Sequence, residues 1–212
     1  MTTTGQHAQH ADPAVPAPAA PAAAQWGNSG PLALAAFAVT TFMLSMINAG
    51  LVDGGTLPVV FAVAFMFGGL AQLIAGVIQF RNGNTFTGVL FSTYGAFWLS
   101  LFAIGQYFLK DIPPAQVGHA LGLYLYGFGI YTVWTFLASF RTNVMVVLAL
   151  AVLAITFFLL AAGNYGGSTG LVHAGGYFGL LVAAMAAYLS CAELCEASYQ
   201  RSVLPVWPLA RH

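Results

Sequence analysis

The feature that most constrains this chain is a series of six long apolar stretches, at residues 31–51, 57–80, 86–108, 117–140, 144–162 and 171–195. A helix of about 20 apolar residues crosses roughly 30 Å of hydrocarbon. Lipid supplies no hydrogen bonds to an open backbone, so stretches of this length must be helices. The breaks between them carry turn chemistry: Asp53 to Gly55, Arg81 to Asn84, Pro113 with Pro114, Arg141 to Asn143, and Asn164 to Gly167. All are too short for an extramembrane domain. Of the residues, 5% are charged, where a soluble domain has about a quarter. The expected fold is an all-α integral membrane protein of six transmembrane helices with short loops, occupying 27–200.

The two ends read differently. Residues 1–26 are rich in Ala and Pro, with Pro13, Pro16, Pro18 and Pro21 breaking any helix, which predicts a disordered, polyproline-like tail. This tail lacks the basic start and unbroken apolar core of a signal peptide, so no cleavage is expected, and His7 and His10 within it read as solvated. Residues 201–212 form a C-terminal tail. Six spans place both ends on one side together with Arg81, Arg141, Arg201 and Arg211, whereas the other side holds only Lys110 with Asp53 and Asp111. By the positive-inside rule both termini are expected in the cytoplasm, with the protein in the cell membrane. Five positive and five negative residues leave no basic field for nucleic acid.

Small residues at steps of four allow close helix approach in lipid. Gly175, Gly179, Ala183, Ala187, Cys191 and Cys195 form such a ridge on the last span, Gly68, Gln72 and Gly76 a second, and Gly118 with Gly122 a third. The two cysteines are too few for a disulfide scaffold and read as packing residues.

Polar groups at membrane depth mark the candidate chemistry. Phe37, Thr41, Ser45 and Asn48 share one face of the first span, either lining a solute path or, in the plainer reading, with hydroxyls bonded to their own helix and Asn48 capping its end. Tyr94 and Trp98 share a face of the third span, as path lining or core filler. Gln72, in mid-span, requires a partner or water, and an interhelical hydrogen bond is expected. Glu193 and Glu196 sit near Arg201 at a hydrated end, with a proton relay as the alternative. His173, at the opposite end of the same span, is a candidate for proton coupling. Asn28 and Pro31 have the spacing of an N-cap followed by proline in the first turn, a helix start that attracts a carboxylate. No metalloprotease, nucleophile-elbow, phosphate-loop or dinucleotide motif occurs. Neither catalysis, nor a cofactor, nor a metal site is expected.

The strings NSGPLALAAFAVTTF from Asn28, GGLAQLIAGVIQF from Gly68, GNTFTGVLFSTYGAFWLS from Gly83, AAGN at Ala161, VHAGGYFGL and RSVLP together resemble the acetate uptake transporter family, which includes bacterial succinate/acetate permeases. The likeness covers essentially everything after the tail. It implies a six-helix protomer assembling into a hexamer, each protomer carrying acetate, related short monocarboxylates and in some members succinate, often with proton coupling. It also implies a constriction at Phe37, Tyr94 and Leu153, and a substrate entrance at Asn28, Pro31 and Leu32. Where the family reads NPAPLGL this chain reads NSGPLAL, which predicts a looser entrance. Gln79 stands where relatives often carry glutamate, which counts against a proton step there. Two alternatives stay open: a channel for another small solute such as ammonia or ammonium, and a non-transporting membrane sensor that binds a partner through its tail.

Overall fold

The computed structural model describes residues 26–209. The expected disordered tail before Trp26, with His7 and His10, lies outside the described residues, as does Arg211. The chain is an all-α, multi-pass integral membrane protein. Among the described residues, six helices are long and apolar enough to cross a membrane: α1 Gly30–Asn48, α2 Gly54–Arg81, α3 Thr85–Asp111, α4 Pro114–Arg141, α5 Val144–Tyr165 and α6 Thr169–Tyr199.

Local chemistry sets several of the ends. α1 stops short of its apolar stretch because Gly50, at φ 73°, takes the left-handed conformation that glycine tolerates. The Gly50 N–H then donates to Ile47 O and the Leu51 N–H to Met46 O, closing the last turn. Asn143 caps α5 by accepting from the Val146 N–H at 2.9 Å. Two π-helical stretches that apolar periodicity does not signal interrupt the helices: Ala64–Ala71 in α2 and Ile104–Phe108 in α3. Such wide turns recur at functional sites and shift the phase of the residues that follow.

Around the bundle the neighbours run α4, α5, α6, α1, α2, α3. Glycines permit the closest crossings. A Cβ on Gly176 would overlap the Ala49 backbone, one on Gly179 the Ser45 hydroxyl, and one on Gly76 the Ser92 backbone. The α3 and α4 backbones stay farther apart, and large rings fill the gap: Phe97 stacks on Tyr124 at 5.5 Å and meets Phe128 edge-on at 4.9 Å. The ridge expected on α6 holds for its first half only. Gly175, Gly179 and Ala183 are buried, but Ala187 and Cys191 are exposed. Four residues turn an α-helix by about 400°, so steps of four drift about 40° each and leave the packing face. The buried stripe continues instead through Val182, Ala186 and Leu189.

Both ends of the described chain dock on the same side. The Trp26 N–H donates to Asn82 Oδ1 at 3.2 Å, and the Val144 N–H donates to Trp207 O at 3.0 Å. The residues after α6 are therefore pinned to the α4–α5 loop; Leu209 and Tyr188 add bonds to Thr142 O and Pro205 O. This side is termed the near side and its opposite the far side.

Candidate transport path

At the middle of the bundle Phe37 on α1, Tyr94 on α3 and Leu153 on α5 converge, with exposures of 7%, 2% and 5%. Their rings face inward: Phe37 and Tyr94 have centroids 5.5 Å apart, tilted by 56°. The Tyr94 ring is held from three further directions, stacking on Phe157 at 6.4 Å, meeting Tyr131 edge-on at 5.7 Å and bonding Thr132 Oγ1 through its hydroxyl at 2.9 Å. Thr132 itself donates to Phe128 O, which leaves the tyrosine as the donor to Thr132.

Two cavities meet at these three side chains. The far-side cavity, about 210 Å³, and the near-side cavity, about 50 Å³, share Phe37 and Leu153 in their walls. Tyr94 faces the near one and Trp98 the far one. Apolar side chains pinched between two hollows are the arrangement in which a small solute passes and larger ones are held back.

The stripe Phe37, Thr41, Ser45 and Asn48 lines the far-side cavity along its full length. The plainer reading of its hydroxyls fails for Thr41, whose buried Oγ1 has no hydrogen-bond partner in the protein. Neighbouring Thr40, off the cavity, is the residue that bonds back to its helix, at 2.8 Å to Ala36 O. Asn48 is the last residue of α1 but its side chain does not cap it; the backbone turn at Gly50 closes the helix. Trp98 contributes a second unpartnered group, its Nε1. The interhelical bond expected of Gln72 is also not found. Its carboxamide is 1% exposed, lines the near-side cavity, and leaves Oε1 unpartnered. A buried polar atom without a partner costs about 1–3 kcal/mol, so these three groups point to a ligand or water.

The near-side mouth departs from expectation in the other direction. Asn28 Oδ1 accepts from the Gly30 N–H at 2.9 Å and from Gln79 Nε2 at 2.8 Å, while its Nδ2 donates to Glu193 Oε2 at 3.1 Å. Gln79 Oε1 accepts from Asn84 Nδ2 at 2.8 Å and Thr87 Oγ1 at 3.0 Å. Ser29, the residue expected to loosen this start, donates to Ala75 O at 2.7 Å and receives a bond from Gln79. The entrance is thus knit rather than loose, because the hydroxyl at 29 ties α1 to α2. Glu193 pairs with Asn28 and not with Arg201, since its position on α6 turns it toward the start of α1.

Several other residues read as path lining stand away from both cavities. Leu32, 43% exposed, sits on the outer surface of the bundle. Pro31 and Asn28 belong to the near-side network, Pro31 through its carbonyl, which accepts from Ser190 Oγ at 2.7 Å. His173 is exposed at the far end of α6 beside Gly50. About 30 Å of helix separates it from Glu193, so the two candidates for proton coupling do not form one relay. Conversely, Phe97, Tyr124, Thr156, Phe157 and Asn164 line the far-side cavity without having been read as lining. Thr156 and Phe157 lie one turn beyond Leu153, a signal available in the sequence once Leu153 is placed.

Comparison with known proteins gives a consistent result. A family model described as the GPR1/FUN34/yaaH family matches residues 11–211. The succinate-acetate/proton symporter SatP of Escherichia coli K12 is 35% identical over 184 residues, covering 84% of this chain and 94% of its own. Acetate permease A of Emericella nidulans is 36% identical over 86% of this chain and 66% of that protein. Ammonia transport outward protein 2 of Saccharomyces cerevisiae is 38% identical over 88% of this chain and 67% of that protein. A solved structure of the bacterial acetate channel SatP superposes with a TM-score of 0.80 at 32% identity, over 85% of this chain and 99% of that one.

Proposed function

This chain belongs to the GPR1/FUN34/yaaH family, and from that premise we propose that it carries acetate and related short monocarboxylates, together with the dicarboxylate succinate, across a cell membrane. The observation that carries this reading is the buried junction of Phe37, Tyr94 and Leu153 between two cavities, in a chain similar to an acetate channel along nearly its whole length. The solute gathers in the far-side cavity among Thr41, Ser45, Asn48 and Trp98, passes the apolar neck, and meets Gln72 on the near side. Asn28, Pro31 and their network hold the near-side mouth in shape.

Both termini are cytoplasmic in this proposal, supported by Arg81, Arg141 and Arg201 on the near side. Protomers assemble as a hexamer with one path each. Exposed Phe42, Met66, Ile74, Val77, Trp134 and Leu137 supply an outer face suited to lipid and to neighbouring copies.

Reconstitution tests the function. Purified protein in liposomes should take up labelled acetate faster than empty vesicles under an inward proton gradient, with propionate competing. Uptake equal to that of empty vesicles, with a gradient and without, removes the proposal. The yeast relative named for ammonia transport gives a second reading its specific support: flux of ammonium that acetate does not inhibit would favour it.

A further inference from the structure

The seam between α3 and α4 is the loosest between neighbours in the bundle, and three tyrosine hydroxyls cross it. Toward the near side Tyr131 Oη donates to Val89 O at 3.2 Å, and toward the far side Tyr124 Oη donates to Phe97 O at 2.7 Å. Both of these reach from α4 to the α3 backbone. Between them lies the bond of 2.9 Å from Tyr94 to Thr132 Oγ1. This rung alone runs from α3 to a side chain of α4, and its ring is a wall of the neck.

Thr132 is 0% exposed and lines neither cavity. Its own hydrogen goes to Phe128 O at 2.7 Å, so what it offers Tyr94 is an acceptor. The series from Tyr94 O–H to Thr132 O–H to Phe128 C=O polarises each bond in turn. It draws the phenol tip into the seam and leaves ring carbon as the surface facing the neck. The other close neighbours of that ring are Phe37, Phe157 and Tyr131, which hold it by contact, and the Thr135 hydroxyl one turn on is directed at Thr132 O at 3.0 Å. Without the Thr132 oxygen the Tyr94 hydroxyl is stranded in a dry seam, and a buried O–H with no partner is costly enough to displace a side chain. The cavity that Tyr94 lines is open to it. A tyrosine that leaves the seam in that direction enters the path.

Resting on the proposed monocarboxylate path, we propose that Thr132 is a positioning residue of the neck: by accepting the Tyr94 hydroxyl it keeps the phenol tip off the path, and so governs how fast acetate passes without touching it.

The test is acetate uptake into liposomes by the parent, Thr132→Val, Thr132→Ser, Tyr94→Phe and the double variant Thr132→Val/Tyr94→Phe, at equal amounts of folded protein. Thr132→Val keeps the shape and loses the acceptor. Its maximal rate should fall about tenfold with apparent KM nearly unchanged, because the barrier is altered and the mouths are not. Thr132→Ser keeps the acceptor and should stay within about twofold of the parent. With Phe at position 94 there is no hydroxyl to strand, so the double variant should match Tyr94→Phe and exceed Thr132→Val. A residue that only packs would give losses that add, with the double variant slowest. Parent-like uptake by Thr132→Val, a serine variant as slow as the valine one, or a double variant slower than Tyr94→Phe each overturns the proposal. Should Thr132→Val fail to fold, the double variant against Tyr94→Phe decides alone, since neither holds a stranded phenol. A parent that takes up no acetate defeats the transport reading instead. Unfolding midpoints then still judge the anchor, Thr132→Val falling below the parent and the double variant matching Tyr94→Phe.

Discussion

At the near-side mouth, Asn28, Ser29, Gln79, Asn84 and Thr87 satisfy one another across α1, α2 and α3, whereas along the conduit Thr41, Trp98 and Gln72 each keep an atom that bonds to nothing in the protein. The same kinds of side chain are used in opposite ways. In the first region amides and hydroxyls fasten helices that lipid alone would not press together. In the second they are buried on cavity walls without a bond from the fold. Pairing alone does not separate the two regions, since Ser92 Oγ, packed against Gly76 away from both cavities, also lacks a partner and Tyr94 at the neck has one; what sets the conduit apart is an unpartnered atom on a residue that lines a cavity.

That division can be broken by mutation, and the near side should respond most strongly. Gln79→Leu withdraws the donor to Asn28 and Ser29 and the acceptor for Asn84 and Thr87, and should destabilise the folded protein by about 1–3 kcal/mol. Thermal unfolding in detergent measures this; an unchanged midpoint would mean that the network holds nothing together. Leu153→Ala acts at the neck, between the two regions. It should leave the fold intact and raise the ratio of lactate to acetate uptake about tenfold, the scale on which an apolar contact discriminates between substrates. Equal exclusion of lactate by mutant and parent would take Leu153 out of the path. Thr41→Val should have the smallest effect and is the sharpest control. With no bond to lose, its unfolding midpoint should match or exceed that of the parent, while apparent affinity for acetate falls about fivefold, the worth of one hydrogen bond of about 1 kcal/mol. A loss of stability without a loss of affinity would reverse the assignment.

Much of the candidate conduit was legible before the fold was known. The i, i+4, i+8, i+11 spacing from Phe37 to Asn48 puts these residues on one face of α1 whatever its neighbours are, and that face lines a cavity. The spacing could not show which hydroxyl is paired. Thr40 and Thr41 are adjacent and chemically identical, and only the packing of α1 decides that Thr40 bonds back to Ala36 while Thr41 does not. Leu32 stands on the outer surface because a helix turns successive residues about 100° apart, a rotation that a motif written as a row of residues does not show.

By itself the sequence determined that this chain spans a membrane six times as helices, because every peptide group in hydrocarbon must find its partner within its own segment, and the length and polarity of each stretch are local properties. Tertiary structure alone decided that Gln79 locks the near-side mouth, that Glu193 reaches Asn28 across 165 positions of chain, and that Gln72 is left free. Pairing between helices depends on their rotation and depth, and a π-helical stretch just before Gln72 resets both in a way that apolar periodicity does not record.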